Sequence, residues 1–468
     1  MYIDRPTSYT DYYELTMAQG YFLEGKGEQT ATFDYFFRKN PFDGGYVIFS
    51  GLNELVSTLE DFQFKEQELK YLEKEGFQAD FLDYLSDFKF KGSIYSAREG
   101  EAVFPNVPVL KAEGNIIETQ ILETLVLNVL NFQSLIATKA ARMRTAAGDD
   151  YKLLDFGLRR SQGLGGVHAS RAAMIGGFDG TSNVYSSQRF GIPAGGTMAH
   201  SWVQSFDSEL ESFRAYARHY PDSTILLVDT YDTLKSGVPN AITVAKELKE
   251  KGHHLRGIRL DSGDLAYLAK ESRKMLDEAG FTNVEIAASN QLDEHVIGSL
   301  INQDAPIDIF GVGTRLVTGH DSPALDGVYK LSSVGDQPKI KVSENVEKIT
   351  LPGSKQVHRF LDDDGNYYCD AISLADEDNV QKIHHPTFPS KDTDLSSRQS
   401  YPLIKEVIRD GEQVGADVSI SDSAGYCKES LSKLSGEYKR FENPHIFKVG
   451  ITPKLLKLRD QLLDINEY

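Results

Sequence analysis

The sequence predicts an α/β protein: an irregular TIM-like (β/α) barrel with an N-terminal α+β sheet domain and a small C-terminal region packed on it. Three observations lead there. Short apolar runs ending in polar, Gly-rich loops alternate with helical segments at intervals of roughly 20–35 residues, the pattern of parallel βα units. At least six such units can be counted, which suits a ring of strands better than a short open sheet. The chain is also 468 residues long, too much for one small domain, and the alternation is confined to its middle.

Taken in order, residues 10–23, "TDYYELTMAQGYFL", read as a helix that Thr10 can cap. "TATFDYFFRK" alternates like a strand and "NPFDGGY" supplies turn chemistry. Residues 53–90 are acidic and amphipathic, as in short helices, and "KGSIYSAREGEAVFPNVPVLKAEGN" reads as strands broken by Pro and Gly. A long helix over about 119–147 ends at Gly148, with Arg142 and Arg144 in its last turns. The strand candidates that follow are "YKLLDFGLRR", "MIGGFDGTS", "GGTMAHS", "STILLVDTYDT", "LRGIRLDSGD", "VEIAASNQLD" and "IDIFGVGTRL". Beyond about 345 the chain turns Asp-, Lys- and Pro-rich. The predicted division is 1–118, 119–345 and 346–468.

The formal charge of −19 disfavours a general nucleic-acid binder, although local arginines can still hold small anions in a cleft. Two cysteines, Cys369 and Cys427, fit a reducing compartment, and no CxxC spacing suggests zinc. The N-terminus lacks a signal-peptide pattern, and no uninterrupted apolar stretch reaches the roughly 20 residues of a membrane span. The expectation is a cytoplasmic protein without a membrane partner.

In a barrel, chemistry gathers at the carboxyl ends of the strands. Here those ends carry Asp155 to Arg160, Gly180-Thr181-Ser182, His200-Ser201, Asp229, Arg259 with Asp261-Ser262-Gly263-Asp264, Ser289-Asn290, and Gly311-Val312-Gly313-Thr314. Seven polar or glycine ends in register exceed what helix capping explains, although Asp264 and Thr314 also suit caps. The glycines of "FGVGT" let backbone amides approach a phosphate, or form a plain turn. Arg159 and Arg160 can grip an anion beside a flat ring on Phe156; equally, Phe156 can be core and the arginines surface. Asp229 and Asp261 occupy successive strand ends and should be neighbours. A histidine beside two carboxylates is oriented and favoured as imidazolium, which suits His200 for catalysis or for a plain core role.

Together "TDYYELTMAQGY", "DFGLRR", "GGTMAHSWV", "IRLDSGDL" and "FGVGTRL" resemble the nicotinate phosphoribosyltransferase family, a type II phosphoribosyltransferase family, in consistent order from about residue 5 to 330. The resemblance implies conversion of nicotinate, 5-phosphoribosyl-1-pyrophosphate and ATP to nicotinate mononucleotide, pyrophosphate, ADP and phosphate, with Mg2+, in NAD salvage. It implies that His200 becomes a phosphohistidine. It further implies Phe156 stacked on the pyridine ring, opposed by Tyr13 of a second subunit in a homodimer with shared active sites. Arg159 and Arg259 would hold nicotinate or a neighbouring phosphate, and Asp261 the ribose hydroxyls. Asp229 would stand beside His200 and the metal, with Asp229 and Asp261 meeting Mg2+ through the substrate. Gly311, Gly313 and Thr314 would cradle the 5-phosphate, with Arg38 a further phosphate contact.

Nicotinamide-specific relatives have an aspartate where this chain has Ser182. An aspartate repels a carboxylate by on the order of a few kcal/mol at partly buried dielectric, whereas serine can donate to it. The alternatives are therefore a nicotinamide phosphoribosyltransferase, disfavoured by Ser182, and a phosphosugar aldolase or isomerase, which would need a lysine or carboxylate base at a strand end.

Overall fold

The computed structural model describes residues 6–344 and 348–466, so the predicted boundary at 345–346 lies outside the described residues. Contacts divide the chain into two units, Met1–Thr138 with Ala324–Tyr468, and Lys139–Pro323.

In the first unit, a seven-stranded sheet runs in the order Gln337–Pro338, Gly327–Val334, Thr30–Phe37, Leu110–Asn115, Ser93–Ser96, Lys405–Arg409 and Glu412–Gln413. The segments 1–118 and 346–468, read as separate domains from sequence, thus share one sheet through the antiparallel pairing of Ser93–Ser96 with Lys405–Arg409. The alternation of "TATFDYFF" does form a strand, yet six of its eight residues are buried, because it lies inside the sheet rather than at an edge. Phe33 stacks on Tyr329 with ring centroids 4.8 Å apart. Thr10 does not cap the first helix: Asp11 occupies the N-cap of Tyr12–Leu23, and Thr10 Oγ1 donates to Glu14 at 2.6 Å. Burial pushes the Glu14 carboxyl up to about 7, against the hydrogen bonds it accepts from Thr10 and Thr124.

The long helix forms as Ile116–Ile121 and Glu123–Ala147 and ends before Gly148, which takes φ 75°. Arg144 closes its end by donating to the carbonyls of Gly148 and Tyr151 at 2.8 and 2.7 Å. Ile116–Ala147 is long and apolar enough by composition to cross a membrane, but charged residues interrupt it and 67% of its apolar window is buried inside the protein. It is a core helix by that measure.

The second unit holds six parallel strands: β1 (Lys152–Asp155), β2 (Gly180–Thr181), β3 (Ile225–Leu227), β4 (Gly257–Leu260), β5 (Glu285–Ser289) and β6 (Ile309–Val312). Their order is β2-β1-β6-β5-β4-β3, with the first strand paired to the last. That is the neighbour order of a ring with one break, between β2 and β3. No closed barrel is found where the sequence predicts an irregular TIM-like barrel; the described pairing is an open six-stranded sheet. The reason is local. β2 has two residues, and the run expected to form the next strand makes one isolated bridge, Thr181 to Ala194, before entering a helix at His200. Asp264 caps Leu265–Glu278 as expected, accepting from the Tyr267 amide at 3.1 Å. Thr314 does not cap; it is the first residue of Thr314–Val317, behind Gly313.

A buried ion cluster ties the first unit together. The Arg359 side chain is 0% exposed and forks onto Asp370 with both contacts at 2.8 Å, while Nη1 donates to Glu101 and to the Ala102 carbonyl at 2.7 Å. Phe104 and Phe447 stack 3.6 Å apart beside it. Removing one partner of a buried pair leaves the other charge uncompensated. Arg359→Met should cost about 3–5 kcal/mol of unfolding free energy, read from urea denaturation.

Candidate active site

The carboxyl end of β1 is built around a carboxylate that water does not reach. Asp155 is 0% exposed. Its Oδ1 accepts from the Gly157 amide at 2.8 Å, and its Oδ2 accepts from Ser170 Oγ and Thr181 Oγ1, each at 2.7 Å. Burial raises its pKa, and the three donors pull it back toward the ionised form. The Asp155 carbonyl accepts the Ser182 amide at 2.8 Å. One residue thereby sets the loop that carries Phe156 and the strand end that carries Ser182. Sequence reading placed Asp155 at a strand end but assigned it no role; its signal was the D-F-G turn, whose amide it holds.

Phe156 is half-buried and its ring lies across Gly311. A Cβ built on Gly311 would fall 2.4 Å from the ring, and one on Gly313 3.2 Å from the Phe156 carbonyl. Gly311 is therefore required by this packing as the ring stands, while a side chain at Gly313 would make only a tight contact. Arg159 and Arg160 sit on a short turn, Leu158–Arg160, and are exposed, as is Ser182. Phe156, Arg159, Ser182, Gly311, Gly313 and Thr314 thus come from the ends of the adjacent strands β1, β2 and β6.

A second group forms at β3 and β4. His200 is not at a strand end, as sequence suggested, but opens the helix His200–Gln204. Its Nδ1 lies 3.0 Å from Thr230 Oγ1 and its Nε2 3.7 Å from Asp261 Oδ2. Asp229 Oδ2 accepts from the Asp261 amide at 2.9 Å and from Ser262 Oγ at 2.6 Å. Ser289 Oγ, from β5, donates to Asp261 Oδ1. The expected His200–Asp229–Asp261 neighbourhood is present, with Asp261 facing the imidazole and Asp229 behind Asp261. Thr230 was missed by sequence reading, though it directly follows Asp229 in "VDTYDT".

Arg259 lies in the same group and donates through Nη1 to Thr197 Oγ1. Its pKa is lowered chiefly by burial, against the opposing pull of Asp261 and Asp229. Two polar atoms here are buried without a hydrogen-bond partner: Arg259 Nε and Asp229 Oδ1. Such atoms carry an unmet desolvation cost and suit a ligand that supplies an acceptor to one and a cation or donor to the other. Among the described residues no group of three or more His, Cys, Asp or Glu side chains could hold a metal ion unaided. Tyr13 and Arg38 belong to the other unit. Tyr13 is 46% exposed on the helix Tyr12–Leu23, with its hydroxyl pushed up to about 12 by burial and by Glu123 and Glu14. Arg38 follows the strand Thr30–Phe37 and has a buried, unpartnered Nε.

The chain is similar to known proteins over nearly all of its length. Family models match for the nicotinate phosphoribosyltransferase N-terminal domain at residues 9–131, the nicotinate phosphoribosyltransferase family at 151–384 and its C-terminal domain at 354–459. A nicotinate phosphoribosyltransferase of Bacillus subtilis is 45% identical over 463 residues, covering 96% of this chain and 93% of its own. One of Caenorhabditis elegans is 36% identical over 512 residues, covering 95% and 91%. The crystal structure of human nicotinic acid phosphoribosyltransferase matches with a TM-score of 0.87 at 31% identity, covering 97% of this chain and 99% of that one.

The packing of Phe156 on Gly311 is directly testable. Gly311→Ala should displace the ring at a cost of about 1–3 kcal/mol, seen as a lower melting temperature. Replacing Phe156 by Leu in the same chain should recover part of that loss.

Proposed function

The chain belongs to the nicotinate phosphoribosyltransferase family, and on that premise we propose that it couples ATP hydrolysis to nicotinate mononucleotide formation through a phosphohistidine at His200, as a cytoplasmic enzyme of NAD salvage. The substrates are nicotinate and 5-phosphoribosyl-1-pyrophosphate. The observation that carries the proposal is the position of His200 between Thr230 and Asp261, whose amide in turn bonds Asp229.

The chemistry follows from these groups. The γ-phosphoryl of ATP passes to an imidazole nitrogen of His200 and ADP leaves; water later attacks the same phosphorus and returns free imidazole and phosphate. In the glycosyl step the pyridine nitrogen attacks ribose C1 with its own lone pair while the bond to pyrophosphate breaks. No general base is needed, so His200 acts as a phosphoryl carrier. The site must hold the base in line with C1 and stabilise the departing charge. Phe156 supplies a flat face, and Tyr13 of a second subunit closes the other side in a homodimer. Arg159 and Arg259 hold the carboxylate and phosphate oxygens, with Arg38 as a further phosphate contact. Gly311, Gly313 and Thr314 receive the 5-phosphate, and Asp261 the ribose hydroxyls.

Mg2+ fits the donor set, since the buried Asp229 Oδ1 lacks a partner. Asp229 and Asp261 would hold it together with substrate oxygens, and when bound it supplies positive charge for the pyrophosphate. A Schiff-base phosphosugar aldolase is disfavoured because none of the six strands carries a lysine at its carboxyl end.

Incubation with γ-labelled ATP should give an acid-labile label on the wild type and none on His200→Asn, which should also lose ATP stimulation of product formation. Label surviving in that variant refutes the phosphohistidine assignment. Ser182→Asp should lower kcat/KM for nicotinate by about tenfold or more, with the KM for phosphoribosyl pyrophosphate changed less than about twofold. Equal losses for both would show that Ser182 does not meet the base.

A further inference from the structure

The glycine loop between β6 and Thr314–Val317 is anchored from one side by an ion pair outside the residues discussed so far. Arg315, in the first turn after the loop, donates through Nη1 to Asp293 Oδ2. Its Nε is buried without a hydrogen-bond partner, so Asp293 is its anchoring contact among the described residues. The Asp293 side chain is 2% exposed and does two jobs at once. Its Oδ1 caps the helix Glu294–Asn302, accepting from the amides of His295 and Val296 at 3.0 and 2.8 Å, while Oδ2 takes the guanidinium. Burial raises the Asp293 pKa, but the Val296 amide and Arg315 outweigh it and keep the carboxyl below its usual range.

The next residue carries the anchorage into the unit. The Glu294 carboxylate is 0% exposed and meets Lys139 at 2.9 Å and Arg142 at 2.7 Å, both on the long helix. Asp293 and Glu294, adjacent in sequence, thus tie Arg315 and the long helix to the start of one helix. Upstream, Ser289 bonds Asp261, and the two residues after it, Asn290 and Gln291, take φ of 82° and 51°. Consecutive non-glycine residues in the left-handed region persist only where both ends of the segment are pinned, and such strain gathers at functional sites. Here Ser289 pins one end and the Asp293 cap pins the other.

We propose that Arg315, held by Asp293, is a positioning residue for the Gly311–Thr314 loop and sets the affinity for the 5-phosphate end of the phosphoribosyl donor. It acts through the loop rather than on the base. The inference rests on the reading that this loop receives the 5-phosphate.

Asp293→Asn separates the two jobs of Asp293, because asparagine caps a helix about as well as aspartate but carries no charge for Arg315. In the full-length protein it should raise the KM for phosphoribosyl pyrophosphate about tenfold, leave that for nicotinate within about twofold, and keep the melting temperature close to wild type. Arg315→Gln should match it, and Arg315→Lys should recover part of the loss. The double variant should be no worse than the worse single, since the two side chains act as one unit. If Asp293→Asn does not fold, Arg315→Gln decides. Thr314→Ala tests the underlying reading: no effect on the donor KM removes the phosphate-loop assignment and this inference with it. An effect of Thr314→Ala, with the Asp293 and Arg315 variants unchanged or raising both KM values alike, overturns the positioning role alone.

Discussion

The parallel ladder between the first and last strands of the six-stranded sheet is the constraint on which the site depends. It pairs Phe310 with Leu153, Gly311 with Leu154 and Val312 with Asp155. This register ends β1 on a buried carboxylate and makes Phe156 the first residue past it, its amide donating to the Val312 carbonyl at 2.7 Å. The ring then falls on Gly311, where no side chain stands in the way. A slip of one residue would turn Asp155 away from Ser170 and Thr181 and leave a buried carboxyl without its donors. The hydrogen bonds of Asp155 therefore enforce the register that the site needs.

The same logic operates at the other end of the sheet. β3 and β4 pair from Ile225–Gly257 to Leu227–Arg259, and the Val228 amide donates to the Arg259 carbonyl at 3.1 Å. The chains leave the ladder side by side, so Asp229 meets the amide of Asp261 rather than solvent. Arg259 loses hydration in the same place and is supported by both carboxylates. An unsatisfied buried polar group costs about 1–3 kcal/mol, and Asp229 Oδ1 and Arg259 Nε each carry such a cost. A site that keeps them is preorganised for a ligand with complementary charges. His200 joins this group from outside the sheet, carried by a short helix.

The unit Met1–Thr138 with Ala324–Tyr468 draws its stability from a different source. Its strands come from both ends of the chain, and Arg359, Asp370 and Glu101 form a charge cluster that only the folded arrangement can satisfy. The apolar rings around it exclude water and so strengthen each contact within it.

Local pattern determined a good deal by itself. The alternation of apolar runs with helical segments identified the βα units, Gly148 marked the end of the long helix, and Asp264 marked a cap. The motifs around Phe156, His200, Asp261 and Gly311 named most of the residues that meet at the strand ends, because those residues adjoin apolar runs whose period is written in the sequence. Tertiary structure alone decided that β2 and β3 end the six-stranded sheet unpaired with each other, since a run as polar and glycine-rich as "PAGGTMA" fits a strand or an extended loop equally well. It alone joined residues 93–96 to 405–409, and gave Asp155, Thr230 and the Asp293–Arg315 pair their partners. The reason is physical: periodicity encodes which face of an element is buried, whereas a hydrogen bond or ion pair between distant segments depends on ladder register and on burial that no local window contains.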